Sequence, residues 1–100
     1  MPAVDFDYLE AFAAHDRQVV REVLALFREQ AVAWAEGLDP EKPGWRDVVH
    51  TIKGAARGVG ANALGDACDK AEYGEPSDLP DVLAALSAAV DEIEAYQAAD

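Results

Sequence analysis

Apolar residues recur along this chain at spacings of three and four, the mark of helices that each bury one face. From Arg17 to Gly37, the residues Val20, Leu24, Phe27, Ala31, Trp34 and Leu38 step by four, three, four, three and four. That is the seam of a long helix packed nearly parallel or antiparallel to its neighbours, with Asp16 as its cap and Gly37 as its stop. Before it, Asp5 to Ala14 is a short amphipathic piece with Phe6, Leu9 and Phe12 on one face and Asp5 as N-cap. At about ten residues it is marginal alone, so it is expected to lie as a lid on a larger bundle. The run Asp39-Pro40-Glu41-Lys42-Pro43-Gly44 reads as a loop, because two prolines and a glycine are costly inside a helix. A third helix is expected from Pro43 or Gly44 to Val59, broken by Gly58 and Gly60. Ala61 to Tyr73 restarts the pattern with Leu64, Ala67, Cys68 and Ala71 on one face, and Tyr73 to Ser77 is a second loop. Leu79, Leu83, Leu86, Val90 and Ile93 mark the last helix, capped by Ser77 or Asp78. No stretch alternates at period two for long enough to make a strand. The expected fold is all-α: an antiparallel four-helix bundle with a short N-terminal helix packed as a lid, in one domain over residues 1–100.

Composition sharpens this picture. With 100 residues there is room for one modest core. A 51% hydrophobic content rich in Ala and Leu favours helix over sheet. A net charge of −12 argues against nucleic acid and anionic membranes as partners, since both would repel the chain. The lone Cys68 excludes an internal disulfide and suits a small buried filler. No basic and apolar leader is evident at Met1 to Asp5, and no apolar run approaches the roughly 20 residues that span a bilayer. A cytoplasmic, monomeric protein that meets other proteins is expected.

The candidate chemistry lies on the third helix. Setting His50 at zero on a wheel of about 100° per residue, Val48, Ile52, Ala55 and Val59 fall at roughly 140–200°, flanked by Trp45 and Ala56. This is the predicted core stripe. His50 faces away from it, with Arg46, Lys53 and Arg57 within about 60° on one side and Gly54 at about 40° on the other. An exposed imidazole therefore has cations beside it and a missing side chain one turn away.

The string H-T-I-K-G-A from His50 to Ala55, with Gly60 ten residues after His50, resembles the histidine-containing phosphotransfer (HPt) domains of bacterial multistep phosphorelays. Their pattern is H-x-x-K-G-[SA] midway along a helix of a four-helix bundle. The resemblance extends over nearly the whole chain in helix order and length. It implies that His50 is a phosphoacceptor exchanging phosphoryl groups with an aspartate on a response-regulator receiver domain, and that a hybrid histidine kinase is the other partner. It also implies a carrier rather than an enzyme, with the receiver supplying metal and acceptor carboxylate.

Physical chemistry fits each position. A neutral imidazole is a competent nucleophile near pH 7. Lys53, at i+3, lies on the same face, where its ammonium can offset phosphoryl charge. Gly54, at i+4, costs roughly 1 kcal/mol against Ala in a helix, and steric access for the partner is the favoured reason for it. Arg46 and Arg57 extend a basic column suited to a carboxylate-rich receiver site. Arg57 departs from the family, which usually has a small residue seven positions after the histidine; being bulky, it either restricts which receivers dock or contacts the partner itself.

Further out, Lys70 is expected level with His50 if the third and fourth helices are antiparallel. Gln30 and Ala31 are candidates to line the same surface, while Phe27 and Trp34 belong to the core and His15 to a loop. Neither His15 nor His50 has an i, i+4 His or Cys partner, so no metal site is expected. There is no nucleotide-binding loop and no cofactor is expected. The rival reading is a helical adaptor that binds a signalling protein through the same face without being phosphorylated. A hydrolase is remote for want of a paired acid and base.

Overall fold

The computed structural model describes residues 2–99. Its helices are α1 (Phe6–Phe12), α2 (Arg17–Gly37), α3 (Trp45–Val59), α4 (Asn62–Glu72) and α5 (Leu79–Ala99), with a 3₁₀ turn at Pro76–Asp78 leading into α5. The four longer helices form the expected bundle. Its antiparallel order is visible in the contacts between them. The end of α2 meets the start of α3, where a side chain on Gly37 would strike Val48. Arg28 in α2 donates to Gln97 near the end of α5.

Asp5 caps α1 by accepting from the Tyr8 amide, and Asp16 caps α2 by accepting from Gln18 and Val19. Both caps satisfy amides that have no partner within the helix. α1 lies over one end of the bundle. The Asp5 amide donates to the Gly60 carbonyl at 2.8 Å, and Phe6 stacks on Tyr96 with ring centroids 4.2 Å apart. Phe12, expected beside Phe6 and Leu9, instead lies 74% exposed, because α1 ends there and the chain turns away. His15 sits in that turn.

The core is a single apolar cluster in which Leu24, Ile52, Val82 and Ile93 are fully buried. On α3 the buried residues are Trp45, Val49, Ile52, Ala56 and Val59, so Val48 and Ala55 are flanks and the stripe sits roughly 50° further round than expected. On α5 Val82 and Ala89 are buried while Leu83 is half out, a similar shift of register on a helix with many apolar positions. Trp34 is only partly buried, edge-on to Phe27 at 5.3 Å. Cys68 is buried, which pushes its thiol up to about 11 and leaves it an apolar filler. No described helix is long and apolar enough to cross a membrane.

Gly58 does not break α3; the stop is Gly60 alone, at φ +82° with its neighbour's amide turned back to Ala56. Only a residue without a side chain fits here, since a Cβ would lie 2.7 Å from the Asp5 carbonyl oxygen in addition to the left-handed strain. Gly60→Ala is expected to lower stability by more than about 1 kcal/mol, read as a reduced urea midpoint at unchanged slope.

Candidate functional site

The site is built on the α3–α4 hairpin. Gly60 reverses the chain, so that the first half of α3 lies beside the end of α4. Arg46 fastens this end: its guanidinium donates to the Glu72 and Gly74 carbonyls at 3.1–3.2 Å and lies 4.2 Å over the Trp45 ring. It thereby satisfies carbonyls left open where α4 stops, in the position where a cation also complements the helix dipole.

This register sets Glu72 against His50. The His50 ring is mostly in solvent, 67% exposed, and its Nδ1 lies 2.9 Å from Glu72 Oε2. The other oxygen of that carboxylate, Oε1, is shut off from solvent and held 2.6 Å from the Lys53 ammonium. Lys53 also reaches Asp69 at 3.4 Å, and its ammonium lies 5.3 Å from the centre of the Tyr73 ring. Lys53 is only 12% exposed. The shifted core stripe explains this, since it brings the Lys53 flank of α3 closer to α4.

The charges reinforce one another. The hydrogen bond from Lys53, with a smaller one from His50, holds the Glu72 carboxyl below the usual carboxylate range against the opposing effect of desolvation. The contact with Glu72 likewise raises Lys53 above the ordinary lysine value, although burial pulls the other way. Glu72 is therefore ionised near neutral pH and can only accept. Nδ1 must then carry the ring proton, which leaves the Nε2 lone pair as the available nucleophile.

Gly54 points directly away from the shifted core, and a Cβ built there meets nothing within 4 Å. No packing contact within the chain requires a glycine. Arg57 lies across α4, its aliphatic stem so close to Gly65 that a Cβ there would come within 3.2 Å of it. Arg46 is near His50 along α3, but its guanidinium is engaged by carbonyls and Trp45. Lys70 does not join the site: it lies 3.8 Å from Asp78, and Glu72 takes the place opposite His50. Ala31 is buried and faces the α2–α5 groove, not the His50 surface. Among the described residues no group of three His, Cys, Asp or Glu side chains is arranged to hold a metal ion. Glu72 and Asp69 are the members of this site that spacing in the sequence does not reveal, and Tyr73 borders it.

A family model described as Hpt domain matches residues 7–96. Among solved structures, the chain is similar to the crystal structure of the histidine phosphotransferase ShpA from Caulobacter crescentus at 1.52 Å resolution. The identity is 59% over 95% of this chain and 90% of that one, with a TM-score of 0.87. No match is found among curated proteins.

Proposed function

Because this chain belongs to the Hpt domain family and its role is phosphotransfer in a phosphorelay, we propose that His50 is the phosphoacceptor and Nε2 its reacting atom. The observation that carries this is the contact of Nδ1 with an ionised Glu72, which turns the lone pair of the exposed ring toward an incoming partner. In the forward step Nε2 attacks the phosphorus of an aspartyl phosphate on a receiver domain. The N–P bond forms as the P–O bond to the aspartate breaks, and the aspartate leaves as a carboxylate. No proton has to leave Nε2. The positive charge that develops on the ring is met by Glu72 through the Nδ1 proton.

Glu72 alone would also repel the phosphoryl group. Lys53, 2.6 Å from its inner oxygen, cancels that charge and keeps a cation beside the path of transfer. Its first task is thus to hold Glu72, and offsetting phosphoryl charge follows from the same position. Gly54 gives steric access. Arg57, with no ion-pair partner among the described residues, is the better docking cation of the two arginines, since Arg46 is already engaged at the α4 terminus. We assign the chain the part of a monomeric cytoplasmic carrier between a hybrid histidine kinase and a response regulator. The receiver provides the metal and the acceptor carboxylate.

Incubation with a phosphorylated receiver tests this. The chain should acquire an acid-labile, base-stable phosphoryl group, and failure to label with any receiver in a broad set would overturn the assignment in favour of an unphosphorylated adaptor. Gly54 supplies a steric check. Gly54→Leu should fold at least as stably as the parent, because leucine gains roughly 0.8 kcal/mol of helix propensity and its Cβ meets nothing within 4 Å. Its transfer rate should nonetheless drop by at least about tenfold, as a misplaced approach costs far more than a few tenths of a kcal/mol.

A further inference from the structure

We infer that Tyr73 is the aromatic anchor for the receiver, an apolar contact at the rim of the transfer site that sets docking affinity and not the chemistry. This rests on the phosphotransfer reading above. Tyr73 is 78% exposed, the most exposed of the large apolar side chains among the described residues, and it follows directly on Glu72, the residue that holds His50. Its ring lies 5.3 Å from the Lys53 ammonium, and the rest of it is open to solvent.

Its presentation is rigid. The Tyr73 amide is tied to Ala71 at the end of α4, and Arg46 grips the carbonyls on either side, those of Glu72 and Gly74. Little backbone entropy is left to lose on binding, and a tyrosine ring has few torsions to freeze. Its other neighbours in the site, Asp69, Glu72, Lys53 and Arg46, are all charged. A partner whose acceptor carboxylate reaches His50, which is hydrogen-bonded to the preceding residue Glu72, therefore meets one exposed ring among charges. The fitting surface is an aliphatic or aromatic side chain on the receiver next to its phosphorylated aspartate. Rings of this kind are the usual anchors of such interfaces.

The test separates docking from chemistry with two phosphoryl donors, phosphoramidate and a phosphorylated receiver that labels the parent chain. Tyr73→Ala should raise the receiver concentration for half-maximal transfer by about tenfold or more. Its maximal rate, and its labelling rate with phosphoramidate, should stay within about twofold of the parent. Tyr73→Phe should recover most of the affinity, since the ring face is what binds. Unchanged half-saturation in Tyr73→Ala overturns the proposal. So does a matching loss with phosphoramidate, which would mean that the ring serves only to place Lys53. A parent chain that takes label neither from phosphoramidate nor from any receiver in a broad set refutes the phosphoacceptor assignment itself, whereas a parent labelled by a receiver leaves the Tyr73 half-saturation to stand or fall alone.

Discussion

His50→Gln is expected to carry no phosphoryl group from any donor while keeping its fold. The ring is 67% exposed and touches only Glu72 among the described charged groups, so its removal opens no cavity, and Glu72 keeps the Lys53 ammonium at 2.6 Å. Stability should stay within about 0.5 kcal/mol of the parent, as for exposed substitutions generally. Glutamine has no nucleophilic nitrogen near neutral pH, so the loss of label should be complete. Parallel circular dichroism and phosphoryl-transfer assays decide the matter. Residual acid-labile, base-stable label in this variant would mean that the phosphoacceptor is elsewhere.

The second large effect is expected at Glu72. Glu72→Ala releases His50 from its tautomer and orientation and leaves Lys53, only 12% exposed, with Asp69 alone at 3.4 Å. Carboxylates that orient a working histidine in metal sites are worth roughly 10–100-fold, and a loss of that size in transfer rate is expected here. Glu72→Gln separates the two duties. Its carbonyl oxygen can still accept from Nδ1, so orientation survives, but Lys53 loses its counter-charge. The stability difference between parent and Glu72→Gln should also follow pH in a set direction. Glu72 is lowered in the fold, so its contribution is present above the ordinary glutamate value of about 4.3 and fades as pH falls through the depressed value. Lys53 is raised, so its part is fully present below the ordinary lysine value of about 10.4 and is lost as pH rises through the raised value. Between those limits the pair should add no pH dependence, which urea denaturation at several pH values would check.

The bundle and the exposed face of α3 were legible because period and punctuation act locally: three-four spacing, Asp5 and Asp16 as caps, prolines in the loop. What escaped was register between helices. Counting ten residues on either side of Gly60 pairs His50 with Lys70. The reversal is in fact centred on Ala61, eleven residues from His50 and eleven from Glu72, so a one-residue error at the pivot became a two-residue error across the hairpin. A charge changed sign as a result. The stripe on α3 was misplaced for a related reason, since Val48 and Val49 are equally apolar and only the neighbouring helices decide which one is enclosed. Tyr73 looked like loop material because an aromatic beside glycine and proline gives no sign that Arg46 pins the turn.

Every group assigned to the transfer site, its support or its docking rim, from Arg46 to Tyr73, comes from one uninterrupted hairpin, while α2 and α5 form the opposite wall of the bundle. Recognition and scaffold are thus encoded in separate stretches of the chain. Partner choice can be rewritten by exchanging the outward positions of that hairpin between relatives, with the Val49, Ile52 and Ala56 side kept as the common socket. Such transplants should fold on the host's remaining helices and answer to the donor's regulator.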